Sequence, residues 1–86
     1  MIIKKQLIKR QVAGDFFLVP VGKTVYDNNG IFVLTTVGAF IWDLLPEAED
    51  EEYILDRITQ EYDVDRETAK RDLDNFLQKL RDMDII

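Results

Sequence analysis

The sequence predicts an α+β fold, a three-stranded antiparallel sheet at the N-terminal end followed by three helices, and three observations predict it. Short β-prone runs broken by Gly, Pro and Asn fill the chain as far as Leu34. From Val37 onward the apolar residues recur at helical spacing, interrupted by Pro46 and by Asp63-Val64-Asp65. The chain has 86 residues with no internal repeat or low-complexity linker, which is a single core's worth of sequence.

Ile3, Leu7, Ile8 and Val12 alternate weakly among Lys and Gln, so an edge strand or ordered arm is expected across Ile2 to Val12. Ala13-Gly14-Asp15 breaks that pattern. Phe16-Phe17-Leu18-Val19 is a β-prone run stopped by Pro20, which has no N–H to donate to a ladder. Val21 to Tyr26 reads as a further extended piece, and Asp27-Asn28-Asn29-Gly30 reads as a hairpin tip, because Asn-Gly readily takes φ > 0. Ile31-Phe32-Val33-Leu34 is continuously apolar. It reads as a strand covered on both sides or awaiting a partner, with two side chains facing the core and two facing outward.

Thr35 or Thr36 is placed to N-cap a first helix through Val37 to Leu45, which Pro46 ends, and Phe40, Ile41 and Trp42 read as core. The acids from Glu47 to Glu52 gather where a helix macrodipole favours negative charge, with Ile54, Leu55, Ile58 and Tyr62 following as the buried stripe of a second helix. Asp65 then N-caps a third helix from Arg66 to about Met83. Its apolar face is Ala69, Leu73, Phe76, Leu77, Leu80 and Met83. One polar flank carries Asp72, Asn75 and Lys79, the other Lys70, Asp74 and Arg81. Ile85 and Ile86 form a terminal apolar tail. Strands first, then three helices with the last two as a helix-turn-helix pair, is a winged-helix-like order.

Composition narrows function by exclusion. The chain contains no Cys, no His and no Ser, so thiolate and imidazole metal sites, cysteine nucleophiles and Ser-His-Asp triads are out, and an enzyme is not expected. The four glycines match no phosphate-binding fingerprint, and Glu47 to Glu52 lacks the spacing of a calcium loop, so no cofactor or metal is expected. No stretch approaches a membrane span, and a cytoplasmic location is expected. The net charge is −6: Lys4, Lys5, Lys9 and Arg10 precede all 17 acids. Such an excess of acid repels a phosphate backbone, and the third helix balances five bases against five acids between Arg66 and Asp84, so nucleic acid is a disfavoured partner.

Several segments together resemble the PqqD-like proteins, also called RiPP recognition elements. They are Val12-Ala13-Gly14 with Leu18-Val19-Pro20-Val21-Gly22, then Phe32-Val33-Leu34 leading into Gly38-Ala39-Phe40-Ile41-Trp42-Asp43-Leu44-Leu45, then Glu61 to Asp65, and finally Asp72-Leu73 with Phe76-Leu77-Gln78-Lys79-Leu80. The likeness runs from about residue 5 to the end, and Gly38 to Leu45 is its most specific part. Two positions depart from the family pattern: Leu34-Thr35 stands where Leu-Asn is usual, and Asp84-Ile85-Ile86 stands where Gly-Leu-Ile is usual.

The resemblance implies a non-catalytic adaptor that binds the leader segment of a ribosomally made precursor peptide and presents it to a modifying enzyme, often a radical SAM protein. It implies that the leader adds as a strand to the sheet edge and lies against the last helix. The peptide-facing residues it implies are Ile31, Phe32, Val33, Leu34, Asp72, Asn75, Phe76 and Lys79. Read without the resemblance, Ile31 to Leu34 and Phe76 are core, and the Asp72, Asn75, Lys79 row is a solvated ridge. A winged-helix DNA-binding regulator and a small dimerisation module, with the chain pairing as a homodimer, are the competing readings.

Overall fold

Residues 1–22 and 32–86 are described by the computed structural model. Three strands, β1 (Leu7–Val12), β2 (Asp15–Pro20) and β3 (Phe32–Leu34), form an antiparallel sheet in the order β1-β2-β3. Three helices follow: α1 (Thr36–Leu44), α2 (Glu51–Glu61) and α3 (Arg66–Asp82). The winged-helix-like α+β order expected from the sequence is therefore observed. The Val21 to Tyr26 piece beyond Gly22, the Asp27 to Gly30 tip and Ile31 lie outside the described residues.

β1 and β2 are joined by two residues, Ala13 and Gly14, with Val12 opposite Asp15. Both take positive φ, 52° and 85°, as a type I′ hairpin turn demands. Gly14 adopts this freely, whereas Ala13 holds its Cβ in a region L-residues avoid. The register puts Leu7, Lys9 and Gln11 on the same face as Pro20, Leu18 and Phe16. On that inner face Leu18 is fully buried, Leu34 nearly so, and Phe32 packs against the core. Val33, facing outward between the last two, is 66% exposed. The Lys9 ammonium passes over the Phe16 ring, 5.4 Å from its centroid, and pairs with Asp43 on α1.

Each helix starts on a side chain suited to it. Thr35 accepts the Gly38 N–H at 2.9 Å, Asp50 the Tyr53 N–H at 2.9 Å, and Asp65 the Thr68 N–H at 2.7 Å. Asp50 rather than Glu47 thus opens α2, and only Glu51 and Glu52 of the acidic run occupy its first turn. Glu47 and Ala48 belong instead to the turn after α1, where their N–H groups donate to the Leu44 carbonyl and Ala48 is buried.

α3 buries Ala69, Leu73, Leu77 and Leu80 in one core with Ile41, Trp42 and Leu45 of the first helical segment and Ile54 and Ile58 of α2. Met83, expected on that face, is 36% exposed. The helix stops just before it in a Schellman motif: the Ile85 N–H donates to the Leu80 carbonyl at 2.8 Å and the Asp84 N–H to that of Arg81 at 2.9 Å. Asp84 sits at φ 57°, the place where glycine is favoured, and the turn swings Ile85 into the core in place of Met83. Both departures from the family pattern are thereby absorbed: Thr35 caps in place of Asn, and Asp84 takes the left-handed position while pairing with Lys4 at 2.7 Å.

Three outcomes are expected. Replacing Ala13 by Gly or Asn relieves the turn and raises unfolding stability by about 0.5–1 kcal/mol, whereas Leu77→Ala at the fully buried centre costs about 2–5 kcal/mol, both measurable by urea melts. The Asp65 carboxyl is held below its ordinary 3.8, first by its hydrogen bonds with Thr68, and that of Asp84 likewise by Lys4. Since the folded state binds these protons less tightly than the unfolded one, their stabilisation is complete above that value and is lost as pH falls through and below it. Asp65→Asn, which still caps, therefore flattens the decline of Tm between about pH 5 and pH 3.

Candidate functional site

β3 is the last strand of the sheet: β2 pairs with one edge, and among the described residues no strand pairs with the other. Beside that free edge lies a groove of about 380 Å³. Its sheet side is Phe32, Val33, Leu34 and Thr35, its floor is Val37, Gly38 and Ile41 of α1 with Phe76 of α3, and its far wall is Asp72, Asn75 and Lys79 of α3. Of the eight residues expected at a peptide site, Phe32, Val33, Leu34, Asp72, Asn75, Phe76 and Lys79 all line this one groove, and Ile31 lies outside the described residues.

The two sides are tied together at the bottom. Phe32 and Phe76 meet edge to face, with ring centroids 6.2 Å apart and planes at 79°. Phe76 is therefore neither wholly core nor wholly surface: Leu77, its neighbour, is fully buried, while Phe76 presents part of its ring to the groove. The ring lies close to the backbone of α1. A Cβ on Gly38 would stand 3.4 Å from Phe76 Cε1 and 3.1 Å from Thr35 Oγ1. A Cβ in this first turn of α1 would be crowded by the Thr35 hydroxyl and would only touch the Phe76 ring.

Thr35, Val37, Gly38 and Ile41 were not expected at the site. Only Gly38 carried a signal, since a helix interior gives up about 1 kcal/mol to accommodate glycine instead of alanine. Val37 and Ile41 read as ordinary helix core, and Ile41 is indeed 1% exposed, contributing only its edge to the floor.

The groove's polar groups all come from α3. Thr35 already uses its hydroxyl to cap Gly38, and the remaining residues of the β3 and α1 side are apolar or glycine. On α3, Arg66 bonds Glu52 and Asp56, Lys70 bonds Asp74, Gln78 bonds Asp82 and Arg81 bonds Glu51. Asp72, Asn75 and Lys79 make no such bond among the described residues. Their flank is thus left open, while the opposite flank is engaged with α2 or with α3 itself. Among the described residues no group of three or more acidic side chains is placed to hold a metal ion, and no helix is long and apolar enough to cross a membrane.

An α+β domain with a strand edge unpaired among the described residues, beside a helix-walled groove, is the architecture of a strand-accepting binding module. The chain belongs to the PqqD family: residues 19–86 match the family described as Coenzyme PQQ synthesis protein D. A solved structure described as "TbiB1 in Complex with the TbiA(beta) Leader Peptide" is 34% identical, with a TM-score of 0.74 over 99% of this chain and 93% of that one. A comparison with curated proteins finds no match.

Gly38→Ala is expected to leave the unfolding midpoint nearly unchanged, because the helix-propensity gain of about 1 kcal/mol is offset by crowding at the Thr35 cap. The Phe76 ring, 3.4 Å from such a Cβ, is already at contact distance and is expected to keep its place, read as nearly unchanged ring-proton chemical shifts.

Proposed function

We propose that this chain is a non-catalytic adaptor that binds the leader segment of a ribosomally made precursor peptide by strand addition to β3 and presents it to a modifying enzyme. The observation that carries this reading is the outer edge of β3, unpaired among the described residues and directly beside the groove shared with α3. An added strand gains main-chain hydrogen bonds from that edge, and every second side chain then drops into the groove. Such a strand would also border Val33, an apolar side chain left largely in water.

The likeness to TbiB1, which is described in complex with a leader peptide, supports the same reading. The absence of Cys, His and Ser from the sequence agrees with a partner that supplies the chemistry. That partner is a radical SAM enzyme on the family resemblance. Phe32, Val33 and Leu34 supply the edge, Phe76 the apolar contact, and Asp72, Asn75 and Lys79 the polar wall.

Calorimetric titration of the purified chain with the leader of the precursor encoded beside it is expected to give a Kd on the order of 1 μM or tighter. Phe76→Ala is expected to weaken that binding at least tenfold, or by about 1.4 kcal/mol or more, while leaving the chain folded. Absence of heat at tens of micromolar with both the leader and the full precursor would remove the adaptor reading.

A further inference from the structure

We propose that the groove reads charge order as well as shape. It takes an extended segment with an acidic side chain and a basic side chain four residues apart, the acid against Lys79 and the base against Asp72, with a large apolar side chain between them over Phe76. This rests on the peptide-binding reading above and adds a selection rule to it.

Among the described residues, charge is presented to the groove by one wall only. The β3 edge and the α1 floor contribute apolar side chains, glycine and a hydroxyl already used as a cap. Discrimination between charged ligand side chains therefore falls to α3. There Asp72 and Lys79 stand in one row with Asn75 between them, exposed and without ion-pair partners among the described residues. The two charges differ in sign, so the row has a direction. A ligand with the opposite arrangement meets like charge at both ends.

The spacing follows from two repeats. Asp72 and Lys79 are seven helical positions apart, an axial distance of about 10.5 Å at ~1.5 Å per step. An extended chain advances about 3.3 Å per residue and shows one face at every second residue, so inward side chains lie about 6.6 or 13.2 Å apart. Two residues of separation leave no inward position between the charges. Four leave one, and the flexible four-carbon stem of Lys79 covers the remaining ~3 Å. The intervening side chain then meets the floor where Phe76, Gly38 and Val37 line it.

A random dodecamer library displayed on phage, selected on the immobilised full-length chain, tests this. Enriched peptides are synthesised, their Kd measured by fluorescence anisotropy, and their site located by amide chemical-shift changes. The expected result is an acid and a base four residues apart around a large apolar residue, in one fixed order, with shifts at residues 32–38 and 72–79. Asp72→Lys with Lys79→Glu should weaken these peptides roughly tenfold, and peptides with the two charges exchanged should recover the loss. Both positions are exposed, and an unchanged thermal melt verifies that the double variant is folded. Groove-binding peptides with no charge order, or less than a twofold response to the double reversal, would overturn the selection rule and leave the adaptor reading standing. Enriched peptides that shift residues elsewhere, or a selection that yields no binder, would overturn both.

Discussion

The edge-to-face contact between Phe32 and Phe76 is the constraint on which the functional geometry depends. It joins the last strand to the last helix at one point and leaves the space above that point open. Were α3 packed flat on the sheet, the edge of β3 would be covered; were it further off, the core around Leu73, Leu77 and Leu80 would be open to water. Gly38 lies beside the same contact, where a Cβ would stand 3.4 Å from the Phe76 ring. Two aromatic rings thus meet within a groove whose lining comes from three separate elements.

Charge placement follows the same division. The four basic residues that open the chain look on paper like an unbalanced patch. In the fold three of them find partners at the surface: Lys4 pairs with Asp84, Lys5 donates to the Met83 carbonyl at 2.8 Å, and Lys9 pairs with Asp43. The N-terminal arm is thereby fastened to the C-terminal tail, where the Lys4 N–H also donates to the Ile85 carbonyl at 2.6 Å. Exposed pairs of this kind contribute little each, about 0–1 kcal/mol, so their effect is positional more than energetic. They occupy the cations that a phosphate backbone would need, and they leave the Asp72 to Lys79 row as the unengaged charged surface beside the groove.

Local propensity and tertiary demand agree over most of this chain, and where they disagree tertiary demand wins. Pro46, Asp65 and the Leu73, Leu77, Leu80 spacing announce helix ends and a buried face that the fold reproduces. The acidic run was misleading, because a favourable macrodipole describes several possible starts for α2, while only Asp50 has the geometry to receive the Tyr53 N–H. Met83 was misleading too. Helical periodicity extrapolates past the end of α3, and nothing in that periodicity tells that Asp84 will take positive φ and bring Ile85 in instead.

The sequence by itself determined the class of fold, the cap of α3, the buried stripe of α3 and the poverty of catalytic side chains, because each of these depends on residue type and near-neighbour spacing, while it left the cap of α1 between Thr35 and Thr36. The groove was legible only in part. The α3 flank and the β3 run were visible as separate features, but Thr35, Val37, Gly38 and Ile41 entered the site only when α1 was laid between them. Only the tertiary structure decided that, since the crossing of three elements, and the gap left where their side chains meet, is a property of packing that no local spacing encodes.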